Sequence, residues 1–297
     1  MIRARELKAE LVVKLSSELG EGPVWDAKQK LICWVDIING KIHQYAPEGK
    51  KLSTITAPQM VGAIVICKNG DFMAATQNGF ARINRETHEV KMIANPEDHL
   101  PNNRFNDGKC DPGGRFWAGT MSISEERGAG SVYVLGNDLS VTKKMEAVTI
   151  SNGMAWSIDH QTFYYIDSPT FEVVAFRYDR RTGNITDKKV VIKIEQTEGS
   201  PDGMTIDSEG MLWIAHWDGW QVARWNPETG EKLDRIRLPV ARGSSCAFGG
   251  EDFEDLYITS AREGLSKDEL LTQPLAGSLF VARRCGYKGM PAFEFGG

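Results

Sequence analysis

Apolar residues along the chain come in short runs that alternate with polar positions, and Gly, Pro, Asn or Asp closes each run, the pattern of strands separated by turns. Six runs share one design, in which a polar or Gly-containing turn leads into an aromatic or large apolar residue followed by small or β-branched ones: LICWVDI, GDFMAAT, GRFWAGT, FYYIDS, GMLWIAH and EDLYITS. Aligned, they place Trp34, Met73, Trp117, Tyr165, Trp213 and Tyr257 in register at spacings of 39, 44, 48, 48 and 44 residues. A period of about 40 to 50 residues marks propellers and solenoids. A further strand-like run follows in each unit (GKIHQY, GFARIN, GSVYVL, VVAFRY, WQVARW, GSLFVA), so each unit holds about four strands. The fold class expected is all-β, a six-bladed β-propeller of four-stranded blades over residues 1–297 as a single domain. A TIM barrel would need a helix of about ten residues or more between strands, and the connections here are turn-rich and polar. The best helix signal is the capping box Ser266-Lys267-Asp268-Glu269, limited by Pro274. The strand-like stretch from Glu10 to Leu15 precedes the first unit, and pairing this N-terminal strand with the last blade closes the ring.

Composition narrows the partners. The net charge is −5 in 297 residues, and the basic residues are scattered. Counterion release on a polyanion needs clustered Lys and Arg, so neither nucleic acid nor an anionic membrane is an expected partner. No stretch approaches the roughly 18 apolar residues of a membrane span, and the N-terminus lacks the apolar region of a secretion signal, so the expected location is cytoplasmic. Five widely spaced cysteines (Cys33, Cys67, Cys110, Cys246, Cys285) without a CxxC pair read as buried free thiols.

A second repeated signature opens each unit's first strand: Glu21-Gly22, Val61-Gly62, Asp107-Gly108, Asn152-Gly153, Asp202-Gly203 and Ser245-Cys246. The first strand of a propeller blade lines the central channel, so Glu21, Asp107, Asn152 and Asp202 would face one another. Carboxylates crowded there repel and raise one another's pKa values unless a cation neutralises them, which points to a divalent metal. The oxygen-only donor set suits Ca²⁺, Mg²⁺ or Mn²⁺, whereas zinc more usually recruits His or Cys. The competing explanation is that Asp-Gly and Asn-Gly are turn formers, and it weakens as the pairs recur at one place in the repeat. Within Asn102-Asn103-Arg104-Phe105-Asn106-Asp107, Arg104 and Asn106 bring a guanidinium and an amide to the same mouth. The aromatics of His216-Trp217-Asp218-Gly219-Trp220 form either a sugar-stacking rim or packing between blades. No GxSxG, HExxH or P-loop motif supports serine hydrolase, zincin or nucleotide chemistry.

The run LGEGPVW, NNRFNDGK, FWAGTM, ISNGMAWS, FYYIDS, PDGM, SCAFGG and QPLAG resembles, in order and over nearly the whole chain, the regucalcin (senescence marker protein) and gluconolactonase family. The resemblance implies a six-bladed propeller with Glu21, Asn152 and Asp202 as metal ligands, Arg104 and Asn106 as substrate-binding residues, and Asp202 also as general base. It moves Asp107 behind Asn106 as support. In regucalcin an acidic lid residue contacts substrate after GTM; the matching position here is Ser124, with Glu125 and Glu126 as substitutes. The implied function is metal-dependent hydrolysis of a small-molecule sugar lactone, an aldonolactone opened to its acid. The cofactor expected is one divalent cation, Ca²⁺ first, with Zn²⁺, Mg²⁺ or Mn²⁺ as alternatives, in a monomer or small homo-oligomer. Two other readings remain: a calcium-binding regulatory protein without turnover, and a metal-dependent esterase or phosphotriesterase.

Overall fold

The computed structural model describes residues 6–297. Six antiparallel sheets follow one another around a ring: blades I (20–56), II (61–94), III (103–148), IV (151–193), V (200–237) and VI (243–282). Each blade runs outward from a channel-lining strand, and in sequence these are Gly20–Asp26, Val61–Ile66, Asn103–Cys110, Ser151–Trp156, Ser200–Ile206 and Gly243–Gly249. The chain is thus the expected β-propeller. Among the described residues, no helix is long and apolar enough to cross a membrane, and all five cysteines are free and buried.

The ring closes as expected, because Glu10–Val13 pairs antiparallel with Leu279–Ala282 as the outer strand of blade VI. A second latch was not legible in the sequence. Glu6–Lys8 adds in parallel to the outer strand of blade V, Lys232–Arg237, so the N-terminal segment staples two neighbouring blades. The capping box at Ser266 holds a short helix, Lys267–Thr272.

The six repeat residues all lie on the second strands of their blades and are at most 3% exposed. Their register is looser than the alignment suggests. Trp117, Trp213 and Tyr257 are equivalent, facing Lys109, Thr205 and Ala247 of the inner strands. Tyr165 instead faces Met154, one step nearer the bulge, Met73 faces Val65, one step farther from it, and Trp34 lies opposite the bulge itself. Blades pack face to face, so both faces of a second strand are covered and either parity accepts a large side chain. Two of the equivalent tryptophans are fixed by buried acids: Asp111 accepts from the Trp117 Nε1 at 2.9 Å and Asp207 from the Trp213 Nε1 at 3.0 Å.

The far end of the channel is closed by the C-terminal segment. Residues 290–293 floor an inner cavity of about 90 Å³, and Phe295 bridges to Cys67 of blade II. The other mouth is open and carries the polar residues.

Candidate functional site

Every inner strand carries an irregularity of pairing at the same height. In blades III, IV and V, two residues stand against one on the neighbouring strand: Asn106-Asp107, Asn152-Gly153 and Asp202-Gly203. A bulge re-aims side chains that an ordinary strand would alternate. Asn106, Asn152 and Asp202 are therefore the equivalent residues, and aligning Asp107 with them on its Gly neighbour is one position out. Glu21 enters one residue ahead of its own bulge.

The recurring glycines are not turn residues. Gly153 and Gly203 lie within strands and neither has a positive φ. Their role is close approach: a Cβ on Gly153 would sit 2.8 Å from the Asp202 carbonyl, and one on Gly203 2.5 Å from the Ser245 Cβ. Bare backbone here lets adjacent inner strands converge, which brings the residues before the glycines together.

Glu21, Arg104, Asn106, Asn152 and Asp202 all line one open pocket of about 400 Å³ and are each at most 7% exposed. Asn152 donates from Nδ2 to Ser168 Oγ at 2.8 Å, and its Oδ1, on the other end of the amide, accepts from Asn106 Nδ2 at 3.3 Å. Arg104 donates from Nη1 to Asn106 Oδ1 at 2.7 Å, and Asn106 Nδ2 donates to the Ser151 carbonyl at 2.8 Å. Both ends of the Asn106 amide are thus engaged within the protein, and it braces Arg104. Asp107 accepts from the Gly108 amide at 2.7 Å, and beyond it Lys109 Nζ donates to the Met204 carbonyl at 2.6 Å, crossing the channel below the site.

Burial and mutual proximity hold both carboxyls away from their ordinary range. Burial, then the nearby Asp107, pushes the Glu21 carboxyl up to about 8, against the Gly22 amide and Arg104. Asp202 is raised well above the ordinary carboxylate range by burial, then by Glu21 and Asp107. Among the described residues neither carboxylate has an ion-pair partner within 4.0 Å, and no group of three or more His, Cys, Asp or Glu could hold a metal. The donors that do converge are two carboxylates and one amide oxygen, a hard, oxygen-only set that fits a divalent cation.

The lid residues are resolved by one turn. Ser124 is exposed and bonded back to Ser122 Oγ at 2.9 Å, while Glu125, with φ of 55°, lines the pocket. Of the three lid candidates Ser124, Glu125 and Glu126, the left-handed turn presents Glu125 to the pocket. Of the aromatic rim, Trp217 lines the pocket, His216 is buried against Trp225, and Trp220 is 44% exposed. Sequence reasoning missed Ser168, Arg242 and Glu263, which also line the pocket. Ser168 had a signal, since it ends the quoted FYYIDS segment.

Residues 19–262 match the family described as SMP-30/Gluconolactonase/LRE-like region. Regucalcin of Xenopus laevis is 41% identical over 296 residues, covering 98% of this chain and 99% of that protein. Of solved structures, a luciferin-regenerating enzyme is similar with a TM-score of 0.91 at 31% identity, over 96% of this chain and 98% of that one. A calcium-binding protein, regucalcin, from Agrobacterium tumefaciens is similar with a TM-score of 0.93 at 28% identity, over 99% of both chains.

Proposed function

The chain belongs to the SMP-30/gluconolactonase/LRE-like family, and from that premise we propose that it is a metal-dependent lactonase, opening an aldonolactone ring to the aldonic acid. The observation that carries this reading is the pairing of a buried oxygen donor set, Glu21, Asn152 and Asp202, with a guanidinium, Arg104, in one open pocket. A protein that only stored a cation would have no use for the guanidinium and the space beside the donors.

Glu21, Asn152 and Asp202 would hold the cation, with Ca²⁺ assigned first on donor hardness and Mg²⁺, Mn²⁺ and Zn²⁺ as the other ions to test. What such an ion supplies when bound is Lewis acidity toward a carbonyl oxygen and toward water. The residues divide the remaining work. Asp202 accepts the proton of the attacking water as general base. Arg104, braced by Asn106, orients the ester oxygens and favours the negative charge that develops on them. Ser168 holds the Asn152 amide in one orientation. Water adds across the acyl carbon–oxygen bond, and the ring oxygen leaves as a hydroxyl with the proton that water gave up.

Five buried free thiols support a cytoplasmic location. The calcium-binding regucalcin neighbour favours a second reading, cation binding without turnover. The experiment that decides is a metal-free preparation assayed against a panel of aldonolactones, a simple ester and a phosphotriester, with each divalent ion restored in turn. Lactone turnover that returns with one ion supports the proposal. Tight cation binding with no turnover of any ester favours the second reading.

A further inference from the structure

The pocket is larger than a single sugar lactone requires, and its outer half is chemically distinct from its floor. At about 400 Å³ it falls in the range of pockets that enclose drug-sized ligands, roughly 300 to 1,000 Å³. Arg104 links the buried and the more exposed acids of the lining. The acids that act on its guanidinium are Glu263, Glu21, Glu125 and Asp202, two of them from the floor and two from the rim. Among the more exposed lining residues are Glu125, Glu263, Trp217 and Arg242.

These four residues are arranged unlike an incidental surface. Arg242 is 14% exposed and anchored, donating from Nε to Asp218 Oδ1 at 2.7 Å and from Nη1 to the Glu263 carbonyl. Its guanidinium lies 4.9 Å from the Trp217 ring centroid and fixes that indole at the pocket wall. Glu263 is half-buried, and among the described residues the carboxylates of Glu125 and Glu263 accept no hydrogen bond and join no ion pair. Two unengaged acceptors beside a fixed indole, one face of which Arg242 covers, match the chemistry of a sugar ring, whose hydroxyls donate and whose C–H groups pack on aromatic side chains. They are the wrong chemistry for a phosphate, which they would repel.

We propose that this outer half is a subsite for the second ring of a glycosyl-substituted aldonolactone, the lactone of an oxidised disaccharide. The inference rests on the lactonase reading for the chemistry at the floor, with the carbonyl placed by Arg104 and the substituent pointing outward past it. A monosaccharide lactone occupies the floor and leaves Glu125, Glu263 and Trp217 to water.

The test compares kcat/KM for gluconolactone, cellobionolactone and phosphogluconolactone on the metal-reconstituted full chain, as wild type, Glu263→Gln and Trp217→Ala, with spontaneous hydrolysis subtracted. The wild type is expected to favour cellobionolactone over gluconolactone by about ten-fold, the contribution of one charge-assisted hydrogen bond. Each variant should lower that ratio by about the same factor, through KM. Phosphogluconolactone should be the poorest of the three. A wild type that favours gluconolactone or the phosphorylated lactone overturns the subsite, as does a ratio that neither variant moves. If Trp217→Ala fails to fold, Glu263→Gln still decides. If no lactone is turned over, the lactonase reading fails separately, and calorimetry with the neutral lactam of cellobionic acid reads the subsite directly. Lactam binding that Glu263→Gln weakens by about ten-fold supports it, and no binding to the wild type overturns it.

Discussion

Asn152 donates from Nδ2 to the Oγ of Ser168 across 2.8 Å, and Ser168 donates in turn to the Pro201 carbonyl across 2.7 Å. A carbonyl only accepts, so the single hydroxyl proton is committed to Pro201, and the hydroxyl oxygen can only accept from the amide. The contact thereby decides which end of the Asn152 side chain faces the pocket. Ser168→Ala removes this constraint, leaving only the longer contact from Asn106 Nδ2 at 3.3 Å, and keeps every donor atom of the site in place. Divalent-cation affinity should fall about ten-fold, the lower end of what loss of an orienting partner costs a metal site. Asn152→Ala should cost more. Calorimetric titration of the metal-free protein measures both, and a Ser168→Ala variant with wild-type affinity would remove the orienting role.

Asp202→Asn separates holding a cation from moving a proton. The amide still offers an oxygen but cannot accept the water's proton at neutral pH. With metal content matched to wild type, kcat on an aldonolactone should drop by roughly 10²- to 10⁴-fold, the usual contribution of a positioned base. Near-normal kcat at full metal occupancy would show that another group activates the water.

How much of this was legible in the sequence depends on whether the signal was periodic. Blade count, strand content and the closing strand at Glu10–Val13 were readable, because burial on both faces imposes large apolar residues once per repeat at Trp117, Trp213 and Tyr257. Exact register was not, because a bulge adds a residue without changing composition. The Asp-Gly pair at 107–108 looks like the one at 202–203, yet Asn106 is the residue that shares a position with Asp202. The latch at Glu6–Lys8 carries no alternation to read, since it only adds an edge to blade V. Arg242 and Glu263 reach the pocket from connections after blade V and within blade VI, and such loop positions do not repeat from unit to unit.

The turn at Glu125 gives a paired prediction. Ser124 points back to Ser122, whereas Glu125 lines the pocket. Ser124→Ala should leave kcat/KM on any accepted lactone within about two-fold, as for a surface change away from the site. On cellobionolactone, whose second ring reaches the outer half of the pocket, Glu125→Gln should raise KM several-fold by weakening charge-assisted acceptance of a sugar hydroxyl. Steady-state kinetics on the two variants side by side decide it, and the reverse ranking would restore Ser124 as the pocket residue.

Acid stability should carry the mark of His216. Its Nδ1 lies 3.0 Å from the Glu198 carbonyl and its Nε2 lies 3.4 Å from the Trp225 Nε1. A carbonyl needs a proton on Nδ1 and an indole N–H needs a bare Nε2, so the contacts require the neutral ring. Burial accordingly lowers this histidine from 6.5 to about 4. A folded pKa below the unfolded one means that the unfolded chain takes up the proton first. Stability is then complete above about pH 6.5 and falls steadily toward pH 4, by about 3 kcal/mol for this group. Melting curves of metal-saturated wild type and His216→Asn between pH 7.5 and 4.5 should converge as pH falls, because the variant has no such proton to take up. Parallel curves would place the acid sensitivity elsewhere.

The glycine of blade V tests why the Xaa-Gly signature recurs at all. A Cβ on Gly203 would lie 2.1 Å from the Ser245 Oγ, 2.5 Å from its Cβ and 2.9 Å from its Cα. Rotating the serine side chain relieves only the first of these, so Gly203→Ala must push the inner strands of blades V and VI apart. Overpacking of this kind costs about 3 kcal/mol, at the upper end of the usual range. In a chain of this size that should lower the melting temperature by several degrees. Cation affinity should fall too, because Asp202 is the preceding residue and moves with the strand. Removing the obstacle supplies the control: the double variant Gly203→Ala with Ser245→Gly should recover most of both losses, since only the contact with the Ser245 Cα remains. If the glycine were there to make a turn, Ser245→Gly would rescue nothing. Differential scanning calorimetry of the two single variants and the double, with and without added cation, separates the two explanations. Rescue would establish close approach of neighbouring inner strands as the reason a glycine follows Asp202.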